Sequence, residues 1–501
     1  MEETDNKQQY KSVLKSTSMI GGSAFFNILI GMIRTKFVAI LLGPDGVGLQ
    51  NMYHTIITTI STITSLGLNS SGVRSIAEAN GQNDSERVAR IVKTIRSTVW
   101  ISGIVGTLLV ILLSGYISEF TFKTQEHRIP LMLLSVIVLL TNIQVGQTCI
   151  LQGLRKISNI AKISIWGAVN GTLISIPCFY LWGKEGIVPS LILTAVAALT
   201  TSWLYARKIE VTSIEISRID KNTVLKELLS YGLPQMLTGM MSSLSAYFMR
   251  FIIISLFGLT GVGIWSAAFN ISGVLTNFVL NAMITDYYPR LAAISKDFEK
   301  INKEVNTQLE IALLLACPAL IVTILFAPLG IRLLYSGRFD EAIPVLRWSV
   351  YGILGRVVCW PLGVIIPAQG RGKLLIVVEI FGHLINLALT YYLSVYYGLP
   401  GTGLAMALNY IIYFFIISFI ANKIAKTSIE YGNIRLISFV LIACIISSLI
   451  SSYVLNELYC YSLSVLFTTT VVFYVFRRLK SKTGINFETV LNKFKSKFMG
   501  K

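Results

Sequence analysis

Apolar residues run through this sequence in long blocks separated by short polar stretches, without the alternation of a half-buried strand. Fourteen such runs can be marked, at about 17–41, 47–69, 97–118, 129–151, 160–182, 186–206, 229–257, 262–287, 308–331, 343–368, 374–397, 401–421, 436–455 and 461–476. About 20 apolar residues, rising roughly 1.5 Å each as a helix, cross about 30 Å of hydrocarbon. In lipid every peptide N–H and C=O must be paired within its own structure, so only helices or closed barrels can span. These runs are too long for barrel strands. The pattern predicts an all-α integral membrane protein of about 14 transmembrane helices.

The runs repeat. Gly43-Pro44-Asp45-Gly46-Val47-Gly48 returns as Gly258-Leu259-Thr260-Gly261-Val262-Gly263, a shift of 215 residues. Arg34 and Arg74 have counterparts in Arg250 and Arg290, Gln152-Gly153 in Gln369-Gly370, and Gly183 and Gly186 in Gly398 and Gly401. Each match is weak alone, but their order and nearly constant shift are shared. Runs 1–6 therefore map onto runs 7–12. Six is even, so both copies have the same orientation, as in parallel repeats related by an axis along the membrane normal. The expected architecture is two pseudo-symmetric six-helix bundles around a central cavity, with two extra C-terminal helices. Its divisions are a lobe at 1–206, a linker at 207–228, a second lobe at 229–426, added helices at 427–480 and a basic tail at 481–501.

Charge orients this plan. The chain has 43 Lys and Arg against 25 Asp and Glu, a net +18. In a soluble protein such a balance would suggest nucleic acid. Here the basic residues cluster in short loops, which is a topology signal. With the N-terminus in the cytoplasm, 33 of the 43 fall in cytoplasmic segments, six outside and four within runs. Both termini are then cytoplasmic. The tail, basic and partly amphipathic, is expected to rest on anionic membrane lipid. The six cysteines lack any CxxC spacing and read as small apolar fillers.

The four cations inside runs are Arg34, Lys36, Arg250 and Arg356. Ionisable groups at membrane depth are costly and face a cavity or a partner. An interior with more cations than carboxylates suits an anionic group such as a diphosphate, which arginine grips in bidentate fashion. The alternative is structural pairing with Asp286 or Glu379. Run 2 carries His54, Thr58, Ser61, Ser65 and Asn69 on one helical face, and run 8 carries Asn270, Asn277, Asn281 and Thr285 at matching positions. Both stripes could line a wet, substrate-binding cavity or hydrogen-bond between helices. Glu379 and His383, four apart on run 11, share a face. They are candidates for proton or cation coupling, with Asp286, or for a plain hydrogen-bonded pair.

No HExxH, Walker A, GxSxG or dinucleotide fingerprint occurs. No catalytic constellation, metal or cofactor is expected, and energy for transport must come from a gradient or the membrane potential.

Taken together, Arg34 in run 1, the turn at 43–49, the Gln-Gly then basic step at 152–156 and the duplicated layout resemble the multidrug/oligosaccharidyl-lipid/polysaccharide exporter superfamily. The stretch 34–48 (RTKFVAILLGPDGVG) is most similar to O-antigen or enterobacterial-common-antigen translocases of the Wzx type. The count of fourteen departs from the twelve of many such proteins and equals that of the lipid II flippases. The resemblance implies a flippase that moves an undecaprenyl-diphosphate-linked oligosaccharide from the inner to the outer leaflet of a bacterial inner membrane by alternating access. It also implies a cationic cavity onto which Arg34, Lys36, Arg250 and Arg356 map, and work alongside polysaccharide polymerase and assembly proteins, with no nucleic acid. The alternatives are a lipid II flippase and a cation-coupled drug exporter of the MATE kind. The excess of interior cations disfavours the exporter.

Overall fold

The computed structural model describes residues 2–209, 217–453 and 456–483, and among these the chain is helical, with no strand. Among the described residues twelve helices are long and apolar enough to cross a membrane. Their outward faces carry side chains only a lipid environment would cover, among them Leu112 at 79% exposure and Phe415 at 67%. The chain is a multi-pass membrane protein. The sequence's runs 1 and 2 are two helices that follow each other across a one-residue kink in α1 (Glu2–Thr64), and runs 7 and 8 do the same in α8 (Arg218–Ala293).

The two kinks have a local cause. α1 departs from helical geometry at Gly43 (φ 64°, ψ −176°) and α8 at Gly258 (φ 66°, ψ −168°). Both angles lie where only glycine is comfortable, so each motif bends its helix at one residue without opening a loop. The same shift of 215 pairs two further turns, Gly183 with Gly398 and Arg155 with Gly370, all at positive φ. The Gln-Gly match in the sequence was therefore two residues out of register. The amide of Lys156 bonds to the Leu151 carbonyl and that of Arg371 to the Ile366 carbonyl, which repeats the turn at 215.

Two compact units emerge, Met1–Ile264 with Leu334–Arg338, and Trp265–Leu333 with Phe339–Lys501. The first holds α1, α2 (Leu68–Gly81), α3 (Ser85–Phe122), α4 (Arg128–Leu134), α5 (Val136–Gly153), α6 (Ile157–Trp182), α7 (Ile187–Ala206) and α8 up to Ile264. The sequence set its lobe boundary at 207–228; the units divide inside α8. Residues before Ile264 pack on α1, where Gly48 and Gly263 meet backbone to backbone. A Cβ on Gly263 would fall on the Pro44 carbonyl, and one on Gly48 on the Leu259 carbonyl. Beside this contact Asp45 accepts hydrogen bonds from the Thr260 hydroxyl and, at 3.3 Å, from Lys184. Further along, Thr62 meets the Ser243 hydroxyl at 3.3 Å. Tyr53 of α1 is 2.7 Å from Nδ1 of His127, whose ring packs 4.0 Å from that of Phe122.

The second unit is organised on α9 (Phe298–Leu325), after which come α10 (Ala327–Leu334), α11 (Ala342–Gly363), α12 (Ile365–Ala368), α13 (Gly372–Tyr397), α14 (Pro400–Ala425), α15 (Tyr431–Tyr453) and α16 (Glu457–Thr483). Leu313, Leu320 and Ile324 of α9 share a core with Val350 and Val357 of α11 and with Val440 and Cys444 of α15. Polar groups fix the same helix. Asn306 accepts from the Glu430 amide at 2.9 Å and from the Asn433 side chain at 3.0 Å. Glu310 accepts from both Nε and Nη2 of Arg478 on α16, at 3.1 and 2.9 Å, with both side chains largely buried. This fork ties α16 to the core. All six cysteines are free, five of them buried. Residues 484–501, most of the basic tail, lie outside the described residues.

Two outcomes test this packing. Gly263→Val should cost roughly 3 kcal/mol or more, because the atoms in its way are backbone, and purified protein should unfold several degrees lower or lose monodispersity. Gly273→Ala, with nothing within 4 Å of the added carbon, should match wild type; equal melting of Gly263→Val would refute the close contact. The second outcome concerns pH. Burial holds the His127 imidazole below its ordinary value of 6.5, with Glu126 partly opposing. The unfolded chain therefore binds the proton more readily, and the stability His127 contributes is complete above that value and is lost as pH falls below it. Melting curves between pH 7.5 and 5 should show this loss in wild type and a smaller one in His127→Gln.

Candidate functional site

In the first unit, the features that could meet a charged ligand sit on α1, α6 and α8. Arg34 is half-buried on α1. Its Nη1 lies against Gly171 of α6, where an added Cβ would stand only 3.1 Å away. The glycine makes room for the guanidinium, a role that position in an apolar run does not announce. Among the described residues Arg34 forms no ion pair. Further along α1, beyond the bend at Gly43, the His54 side chain is ringed by protein yet accessible, and it lies within electrostatic reach of both Arg250 and Arg34. Arg250 is half-buried on α8 and donates from Nη1 to the Ala246 carbonyl at 3.1 Å. Lys36, also half-buried, stands two residues beyond Arg34 on α1.

The polar stripe of α1 divides in two. Thr58 and Thr62 bond to carbonyls four residues back, at 2.8 Å each. Ser61 is buried, with no partner for its hydroxyl among the described residues. His54 and Asn69 remain exposed. Helix-to-backbone and helix-to-helix bonding thus occupies the threonines, and an accessible face is left at His54.

The second unit contains a cavity of about 430 Å³ whose wall includes Arg356, Glu379 and His383. Sequence reasoning had put the first with the substrate and the other two with ion coupling; the fold brings them into one place. Nε2 of His383 is 3.9 Å from Oε2 of Glu379, an ion pair when the imidazole is protonated and too long for a hydrogen bond. Among the described residues Arg356 forms no ion pair with Glu379, one of the two partners the alternative reading named. Asn270 is exposed on the part of α8 in this unit. The side chains of Asn277, Asn281, Thr285 and Asp286 lie outside the described residues.

The cavity wall also holds Trp360, Asn386, Asn409, Tyr410 and Tyr413, which sequence reasoning missed. The available signal was two amides inside apolar runs 11 and 12, where a polar side chain needs a reason. Among the described residues no cluster of three His, Cys, Asp or Glu could hold a metal ion. What these two regions can do is bind: cationic contact in one, mixed aromatic, amide and charged contact in the other.

Comparison with known proteins agrees with this picture. Residues 13–295, more than half of the chain, match the family described as polysaccharide biosynthesis protein. The lipid III flippase of Escherichia coli K12 is 20% identical over 410 residues, covering 80% of this chain and 96% of that protein. The putative O-antigen transporter of Shigella flexneri is 25% identical over 393 residues, covering 77% and 91%. Among solved structures, the lipid II flippase MurJ in an inward closed conformation has the same fold, with a TM-score of 0.71 at 14% identity over 92% of this chain and 98% of that one. The membrane-transporter architecture expected from the helix runs is that of these proteins, and the chain belongs to the polysaccharide biosynthesis protein family.

Proposed function

We propose that this protein flips an undecaprenyl-diphosphate-linked oligosaccharide, an O-antigen or other surface-polysaccharide repeat unit, from the inner to the outer leaflet by alternating access. The observation that carries this reading is Arg34: a guanidinium on a membrane-spanning helix, accommodated by Gly171 and forming no ion pair among the described residues. A cation at the bilayer centre costs roughly 2.5–3.5 kcal/mol or more. Such a group is kept where an anion comes to meet it, and a diphosphate matches the guanidinium fork. Relatives named as a lipid III flippase and an O-antigen transporter support the cargo. Lys36, Arg250, His54 and the amides Asn270, Asn277 and Asn281 complete the proposed substrate-binding set, with Arg356 in the second unit.

The reading places the protein in a bacterial inner membrane, with both termini cytoplasmic and fourteen crossings, two each from α1 and α8. Polymerase and assembly proteins would act on its product. It is a transporter and not an enzyme. A MATE-like exporter of organic cations would be opposed by the same charges. Direction needs a driver. The diphosphate carries about two negative charges, and an inside-negative potential favours their outward passage by about 2.3 kcal/mol per charge per 100 mV. Glu379 and His383, with Asp286, are proposed to couple proton or cation exchange to the cycle.

Depletion of the protein, followed by lipid analysis, should leave its undecaprenyl-linked oligosaccharide on the inner leaflet; accumulation of lipid II would turn the assignment to that cargo, and accumulation of neither would overturn it. Arg34→Ala and Arg250→Ala should each fail to restore export by about tenfold or more while remaining folded in the membrane, and Lys should restore only part. Normal export by both Ala variants would remove the diphosphate contact. Glu379→Gln should alter the pH or ion dependence of flipping in proteoliposomes. A variant that follows wild type under every imposed gradient would leave the membrane potential as the driver.

A further inference from the structure

The cavity of the second unit is poorly suited to a diphosphate. Among the described residues one guanidinium, that of Arg356, faces it, and Glu379 on the opposing α13 would repel an anion. Arg356 would in turn repel an organic cation. A prenyl chain would strand the polar groups on the wall, since a buried polar group without a partner costs about 1–3 kcal/mol. Two such groups are present. The side-chain oxygens of Asn386 and Asn409 are buried with no hydrogen-bond partner among the described residues, and Asn409 is only 8% exposed. Native structures rarely leave such amides unmatched. Both amides belong to the cavity wall, where the hydroxyls of a ligand would meet them.

The rest of the wall narrows the chemistry of that ligand. Trp360 on α11 and Tyr410 and Tyr413 on α14 bring three aromatic rings to one cavity, the two tyrosine rings 6.2 Å apart and edge to face. Neither tyrosine hydroxyl makes a hydrogen bond among the described residues. A ligand with an apolar face to lie on a ring, and an edge of hydroxyls to donate to amide oxygens and a carboxylate, meets every one of these groups. A neutral sugar ring has that form: C–H bonds on its faces, O–H groups around its rim.

We infer that this cavity is a saccharide subsite, which takes one or more sugar residues of the cargo through ring contacts with Trp360, Tyr410 and Tyr413 and hydrogen bonds to Asn386 and Asn409. The inference rests on the flippase reading above and adds a division of labour: cations of the first unit hold the diphosphate, and the second unit reads the glycan. Discrimination among cargoes then belongs to the second unit, because a site built to hydrogen-bond hydroxyls rejects a ligand that lacks them.

The full-length protein in nanodiscs tests it with two probes, undecaprenyl diphosphate without sugar and the undecaprenyl-diphosphate oligosaccharide extracted from the host membrane. The Asn386→Ala, Asn409→Ala double variant should bind the glycolipid about tenfold or more weakly, the worth of one to two hydrogen bonds. It should hold undecaprenyl diphosphate within about twofold of wild type and melt no lower. Tyr413→Phe, which removes one hydroxyl and keeps the ring, should shift in the same direction by a smaller factor and guards against a double variant that fails to fold. Equal weakening for both probes, or no weakening for either, overturns the subsite while leaving the flippase reading in place. A wild-type protein that binds neither probe overturns the flippase reading and the subsite with it.

Discussion

Every peptide group that enters hydrocarbon must find its partner inside its own helix, and this one requirement shapes most of what the chain does. Where the ladder does break, inside α1 and α8, the break is brief. Gly43 and Gly258 confine the disturbance to a single residue each, and helix resumes on both sides. The same requirement limits how helices can attract one another. Lipid tails are as apolar as leucine, so association relies on close approach and on small polar groups. Gly48 on Gly263, Asp45 with Thr260 and Thr62 with Ser243 are three instances along a single pair of helices.

Against that background the charged groups stand out as exceptions that the fold accommodates one at a time. Arg34 has its seat because α6 gives up a side chain at Gly171. Arg250 returns a hydrogen bond to its own helix at Ala246. Glu310 and Arg478 cancel each other through a fork. Arg356 and Glu379 are treated differently: both face one cavity without pairing, where water or a ligand can reach them. A balanced pair removes charge from the membrane, whereas an unbalanced one keeps it available.

Much of this was legible in the sequence for physical reasons. Long apolar runs admit only one secondary structure in lipid, so the helical class was fixed by composition. The glycine motifs were visible because a backbone at positive φ, or in contact with another backbone, leaves few residue choices. Other features left weaker marks. The turn at Arg155 uses a non-glycine at φ 54°, so an alignment drawn to the nearest glycine slipped by two residues. The break between runs 1 and 2 was visible as a turn, but not that a single residue, Gly43, makes it. The cavity of the second unit escaped because its wall is drawn from helices far apart in sequence. Arg356, Asn386 and Asn409 are near neighbours only in the fold.

The bond between Glu310 and Arg478 joins residues 168 positions apart, the second of them close to the end of the chain. A ribosome feeding this protein into the membrane delivers α9 long before α16 exists. Through that interval the Arg478 side of this fork is missing, and α9 lacks the tie to α16 that it later has. Insertion of this unit is thus a process with a late closing step. α15 and α16, which the repeat does not include, supply that step through Asn433 and Arg478.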